Sequence, residues 1–202
     1  MAKTPKKSAN DASSRDRIIN AAKVQFARTG FDGASTRQIA EVAKVAQSLL
    51  LYHFETKEDL WKAVMDRMFE RTSRLRAVVD GMEGASAAEK LKENISVFVD
   101  LCREDPDLHR LMTLEGRASS PRLEWLIDKH VKNLYDGTIA LVEQGQRDGS
   151  IRQCDPRLVY YSIIAIAGTI YSLEPEMRLL SSDKSRPARD VVLDYMTTLI
   201  FV

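Results

Sequence analysis

The chain has 202 residues, 44% of them hydrophobic and 29% charged, which fits a globular protein able to bury a sizeable core. A formal net charge of +1 excludes a chain built throughout as a binder of nucleic acid, membranes or acidic partners. The distribution is less even: up to Lys57 there are ten lysines and arginines against five acids, so the first part is a basic module and the remainder is neutral to acidic.

In chain order, residues 1–13 read as a disordered basic tail with little to bury. A helix is expected from Ser13, capped with Asp16, with Ile18, Ala22 and Phe26 on one face and Gly30 at its end. Ser35 opens the next helix with Gln38 completing a capping box, and Ile39, Ala40 and Ala43 form its inner stripe. After a break at Lys44 to Ala46 comes a helix from Gln47 to His53. Thr56 then caps a long helix, with Asp59 at the third position, that carries Leu60, Trp61, Val64, Met65, Met68 and Phe69 inside and closes at Gly81 and Gly84. Further helices are expected from Ala87 to Arg103, after Pro106, from Ser120 to about Arg147 with Gly149 as the stop, from Asp155 to Leu173, and near Ala188 to Phe201. No stretch alternates as a strand does. The fold class is all-α: a three-helix helix-turn-helix domain over 14–60, joined by a long helix to a C-terminal helical bundle over 61–202.

The spacing within Thr36 to Phe54 is the most specific feature. Ala40 lets two helices approach closely while Ile39, Ala43, Val45 and Leu50 fill the wedge between them. The helix from Gln47 to His53 is left with polar groups outward at its start, as a recognition helix needs to reach base edges in a major groove. Gln47 and Ser48 are the expected base-reading residues, with Leu49 beside them. Thr36, Tyr52 and His53 suit phosphate oxygens, Lys57 lies in a first helical turn where an anion is favoured, and Arg37 and Lys44 add basic reach. The plainer alternatives are a solvated surface for Gln47 and Ser48, packing against Phe54 for Tyr52 and His53, and a surface pair with Glu58 or Asp59 for Lys57.

The stretch Gly30-Phe31-Asp32-Gly33-Ala34-Ser35-Thr36-Arg37-Gln38-Ile39-Ala40, followed by Leu50-Leu51-Tyr52-His53-Phe54-Glu55-Thr56-Lys57-Glu58-Asp59-Leu60, resembles the N-terminal domain of the TetR family. The resemblance implies a homodimeric regulator, usually a repressor, that binds double-stranded DNA at a near-palindromic operator and leaves it when a small molecule enters the C-terminal domain. Three positions depart from the family pattern. Lys44 stands where Gly is usual in the turn, so it either adopts a left-handed conformation at a cost of roughly 1 kcal/mol or shifts the turn and comes near phosphate. Ala46 replaces a Ser or Thr cap, and Leu51 replaces an aromatic residue.

The stretch Leu158 to Leu173 is apolar nearly all round and shorter than the ~20 residues that span a bilayer, so it reads as a buried helix with no membrane role. With the last helix it suggests a dimer interface of two helices per subunit, with Ala165, Ala167 and Gly168 permitting close approach. An effector pocket is expected between bundle helices, with Met65, Met68, Phe98, Met112, Trp125 and Tyr171 as candidates and ordinary core packing as the alternative for each. Cys102 and Cys154 lie far apart without metal spacing, as do His109 and His130, so reduced thiols and neither metal nor cofactor are expected in a cytoplasmic protein. No phosphate loop, nucleophile elbow, HExxH or dinucleotide fingerprint supports an enzyme. A helical scaffold binding only proteins is disfavoured by the basic first third.

Overall fold

A computed structural model describes residues 7–183 and 185–202. Residues 1–6 of the expected tail lie outside that range. Residues 7–13 are helical rather than disordered: α1 spans Lys7–Gly33. Extending a helix is far cheaper than starting one, so the turns packed through Ile18, Ala22 and Phe26 propagate backwards past Ser13, which is no cap. Gly30 breaks α1 with φ 72° and ψ 179°, a conformation essentially confined to glycine, so residues beyond it form a separate short turn.

Next come α2 (Thr36–Val42), α3 (Gln47–His53) and α4 (Lys57–Asp80). Ser35 holds the N-cap position of α2 but its side chain makes no capping bond, so the expected box with Gln38 is not formed. Both side chains are exposed, where water satisfies them equally well. The box at Thr56 does form: its hydroxyl accepts from Asp59 N–H at 3.0 Å, and Asp59 Oδ2 accepts from Thr56 N–H at 3.1 Å.

The chain divides into two compact units, and the first ends at Met68 rather than at the expected Leu60. Leu60, Trp61, Val64, Met65 and Met68 are all buried and all fall within that unit.

The second unit begins at Phe69 within α4 and continues through α5 (Ala87–Glu104), α6 (Asp107–Glu115), α7 (Pro121–Leu126), α8 (Lys132–Asp148), α9 (Pro156–Ser172), α10 (Glu174–Leu180) and α11 (Arg189–Ile200). Ser86 and Glu89 build a complete capping box for α5. The single helix expected from Ser120 to Arg147 is divided by a π-helical turn over Ile127–Val131, in which Lys132 N–H bonds back to Ile127 O. Gly149, at φ 81°, ends α8 as expected.

The core of this unit is made by Leu91, Ile95 and Val99 of α5, Ile163, Ala167 and Tyr171 of α9, and Met196 and Ile200 of α11. Arg189 of α11 grips Asp100 of α5 at 2.6 and 2.9 Å and donates to Ser96 Oγ at 2.6 Å. Gly168 and Ala167 are buried, so they do not serve the outer face of α9. A Cβ on Gly168 would lie 2.0 Å from the His109 ring, which occupies the space the glycine leaves.

No single helix among the described residues is long and apolar enough to cross a membrane.

Candidate nucleic-acid interface and ligand cavity

The turn between α2 and α3 is set by backbone bonds. Lys44 N–H bonds Glu41 O at 3.1 Å and Val45 N–H bonds Ala40 O at 3.0 Å, the two linkages of a Schellman ending. Its left-handed position is Lys44 itself, at φ 55°, the one positive-φ residue among the described residues that is not glycine. Lys44 therefore adopts the left-handed conformation. The turn keeps its shape, and the residue carries strain of roughly 1 kcal/mol.

Leu50, fully buried, anchors α3, and Ile39, Ala40 and Ala43 are buried on the α2 side. With Leu50 inward, Gln47 and Ser48 are exposed and Leu49 is half-buried. Ala46 takes the N-cap position without a side-chain bond, and its carbonyl accepts from Leu49 and Leu50. Arg37 and Lys44 are exposed and Thr36 is half-buried. Tyr52 is 68% exposed. His53 stands edge-on to Tyr52 at 5.4 Å between ring centres, and its Nε2 is buried without a hydrogen-bond partner among the described residues.

Lys57 is turned inward. Its ammonium donates to Phe31 O at 2.9 Å and Ala34 O at 3.2 Å, and lies 4.4 Å from the centre of the Phe31 ring. Two of its three protons are thus taken by carbonyls of the turn that leads into α2. It does not pair with its neighbours either: Glu58 meets Lys62 at 2.7 Å, while Asp59 caps α4. Sequence reasoning also missed Arg15, whose guanidinium lies over the Phe54 ring at 5.2 Å. Neither contact has a local signal, because the partners are remote in sequence.

Within the second unit lies a cavity of about 770 Å³. Its apolar wall includes Val97, Phe98, Leu101, Met112, Ile127 and Ile164. Of the six expected pocket residues, Phe98 and Met112 are on this wall. Met65 and Met68 are buried in the first unit, and Tyr171 is buried in the core of the second. Trp125 stands against His130 and beneath Lys129. Burial pushes the Cys102 thiol up to about 12, so it lines the cavity as an unreactive apolar group.

A short, anchored helix with an exposed polar start, set behind a tight turn on a basic unit, defines a helix-turn-helix DNA-binding protein. Residues 18–64 match the family described as "Bacterial regulatory proteins, tetR family", and residues 84–172 match "Tetracyclin repressor-like, C-terminal domain". The HTH-type transcriptional regulator RutR of Escherichia coli O157:H7 is 28% identical over 179 residues, 88% of this chain and 83% of that protein. The fatty acid metabolism regulator protein of Bacillus subtilis (strain 168) is 32% identical over 161 residues, 76% of this chain and 77% of that protein. The fold is also that of AibR, solved with isovaleryl coenzyme A and operator DNA: TM-score 0.75 at 18% identity, covering 93% of this chain and 98% of that one. The chain belongs to the TetR family and is a DNA-binding transcriptional regulator. Its family and relatives are regulators rather than enzymes.

Proposed function

We propose that the protein represses transcription as a cytoplasmic homodimer on a near-palindromic operator, which it leaves when a small-molecule effector fills the cavity. The reading is carried by the exposed Gln47 and Ser48 at the start of a helix whose Leu50 is fully buried. That arrangement suits direct contact with base edges, Gln47 to adenine above all. Leu49 reaches an apolar base or sugar surface beside them. Thr36, Arg37, Lys44, Tyr52 and His53 hold phosphates and fix register, with His53 requiring a small ring movement to free its nitrogen. Lys57 supports this surface from behind.

Dimerisation is supported by the outer faces of α9 and α11. Leu158, Tyr161, Val191 and Tyr195 are between 61% and 64% exposed, a costly amount of apolar and aromatic surface to leave in water. The effector role rests on the size and apolar wall of the cavity, and on the coenzyme A thioester found with AibR.

The test is a gel-shift titration against the DNA upstream of the protein's own gene across a salt series. Binding should survive competitor DNA and weaken steeply with salt as several phosphates are contacted. Equal, weak retention of every fragment would overturn the repressor reading.

A further inference from the structure

The polar groups of the cavity wall include two contrasting sets. Thr72 and Thr138 bond carbonyls of their own helices, at Phe69 O and Leu134 O, both at 2.8 Å, and Lys132 pairs with Asp136 at 2.9 Å. Asn94, His109, Arg117, Tyr135 and Tyr160 also line the cavity, and none makes a hydrogen bond or ion pair with the described residues. A polar group beside an apolar space and without a protein partner calls for a ligand or water.

Only Arg117 among these groups carries a charge, and each of the others has a proton to donate. Arg117 can only donate and carries a full positive charge. Burial, with Tyr161 and Tyr135 close by, pushes the Tyr160 hydroxyl up to about 12, so it keeps its proton and donates. Tyr135 meets it edge-to-face at 4.9 Å. Burial first, then Arg110, holds His109 below its ordinary value, so it is a neutral ring with one N–H to offer. One edge of that ring is pressed on Gly168. The carboxylate on the wall is Asp105, and it already interacts within the protein. A cationic head would therefore meet the charge of Arg117, whereas an anionic head would gain that charge and find donors in Asn94, His109, Tyr135 and Tyr160.

We propose that the cavity takes an amphiphilic carboxylate, its apolar body along Phe98, Leu101, Met112 and Ile164 and its head among these donors, with Arg117 supplying the opposing charge. This rests on the effector reading above and adds the sign and chemistry of the ligand.

The experiment compares dodecanoate, dodecanol and dodecylamine, each below its micelle-forming concentration, by calorimetric titration and by release of operator DNA from the full chain. Dodecanoate binds and releases DNA, dodecanol binds at least about tenfold more weakly, and dodecylamine does not bind, because one hydrogen bond to a charged group corresponds to about tenfold in affinity. Arg117→Gln, at an exposed position, weakens dodecanoate by about tenfold and leaves dodecanol unchanged. Tyr160→Phe weakens dodecanoate in the same direction. The proposal is overturned if wild-type protein does not bind dodecanoate, if dodecylamine binds as tightly, or if Arg117→Gln weakens acid and alcohol alike. Val97→Trp and Leu134→Trp fill the cavity. If binding of these probes persists undiminished in both, the effector reading itself falls. If both lose binding while acid and amine had bound wild type equally, only the ligand class falls.

Discussion

The Lys57 ammonium donates to the carbonyl oxygen of Phe31 at 2.9 Å and stands 4.4 Å from the centre of the same residue's ring. Backbone and side chain of Phe31 are held by one cation, while Phe26 stacks on the ring at 6.0 Å. Together with the bond to Ala34 O, this fixes the path from the break at Gly30 to the first turn of α2.

Lys57→Met keeps the length of the side chain and removes the charge. It should lower stability by about 1–2 kcal/mol, from the lost charged hydrogen bonds and cation–π contact at a half-buried site. Operator affinity falls for all sequences alike, yet the slope of log affinity against log salt stays unchanged. A phosphate contact would instead reduce that slope by about one. Urea denaturation and binding at several salt concentrations separate the two roles.

Lys44→Gly pulls stability and affinity in opposite directions. Glycine accepts φ 55° without steric cost, so the variant should gain roughly 1 kcal/mol of stability. It also removes an exposed cation beside α3, so operator affinity should fall and the salt slope should drop by about one. If affinity and slope are unaltered, Lys44 makes no phosphate contact and its charge has no part in binding.

Gln47→Ala should cost ~1–3 kcal/mol of binding at one operator base pair and little elsewhere. Selection of bound sequences from a randomised operator reads this directly. A variant that keeps the wild-type base preference would remove Gln47 from direct readout.

The parts that were legible in sequence are those with local causes. The α2–α3 wedge depends on Ile39, Ala40, Ala43 and Leu50 at helical spacing, and the Thr56 cap on Asp59 three residues on, so a linear reading finds both. The carbonyl partners of Lys57 were not legible because they lie 26 and 23 residues away, beyond any periodic pattern. Gly168 was misread for a related reason: small residues on an apolar helix signal a close approach without naming what approaches. Here it is the His109 ring, not a second subunit's helix. The π-helical turn at Ile127–Val131 and the short helix α10 were also missed. The first leaves the helical pattern of apolar residues unbroken, and the second is stabilised by Glu174, which takes Arg178 at 2.5 Å and, across a loop, Arg186 at 2.7 Å.

Gly168→Ala should destabilise the second unit by about 1–3 kcal/mol, because the new methyl must displace the imidazole of His109. His109→Ala makes room, so the double variant should recover part of that loss in a double-mutant cycle followed by thermal denaturation. Strict additivity would show that the two residues do not share this space.

The same histidine makes stability depend on pH. Its value in the folded protein is lowered from 6.5, by burial first and then by Arg110, so the fold resists protonating it while the unfolded chain does not. Above 6.5 both states carry a neutral ring and the contribution is fully present. As pH falls through that value the unfolded state binds the proton first, so unfolding is favoured and stability declines until the folded value is reached. Asp155, held at about 2 chiefly by its bonds with Arg157, titrates far below this window and does not interfere. Urea midpoints measured from about pH 7.5 down to about pH 5.5 should therefore fall more steeply for wild type than for His109→Gln, which cannot take up the proton. Parallel curves for the two proteins would mean that His109 is as easily charged in the fold as outside it, and that its ring is held against Gly168 by packing alone.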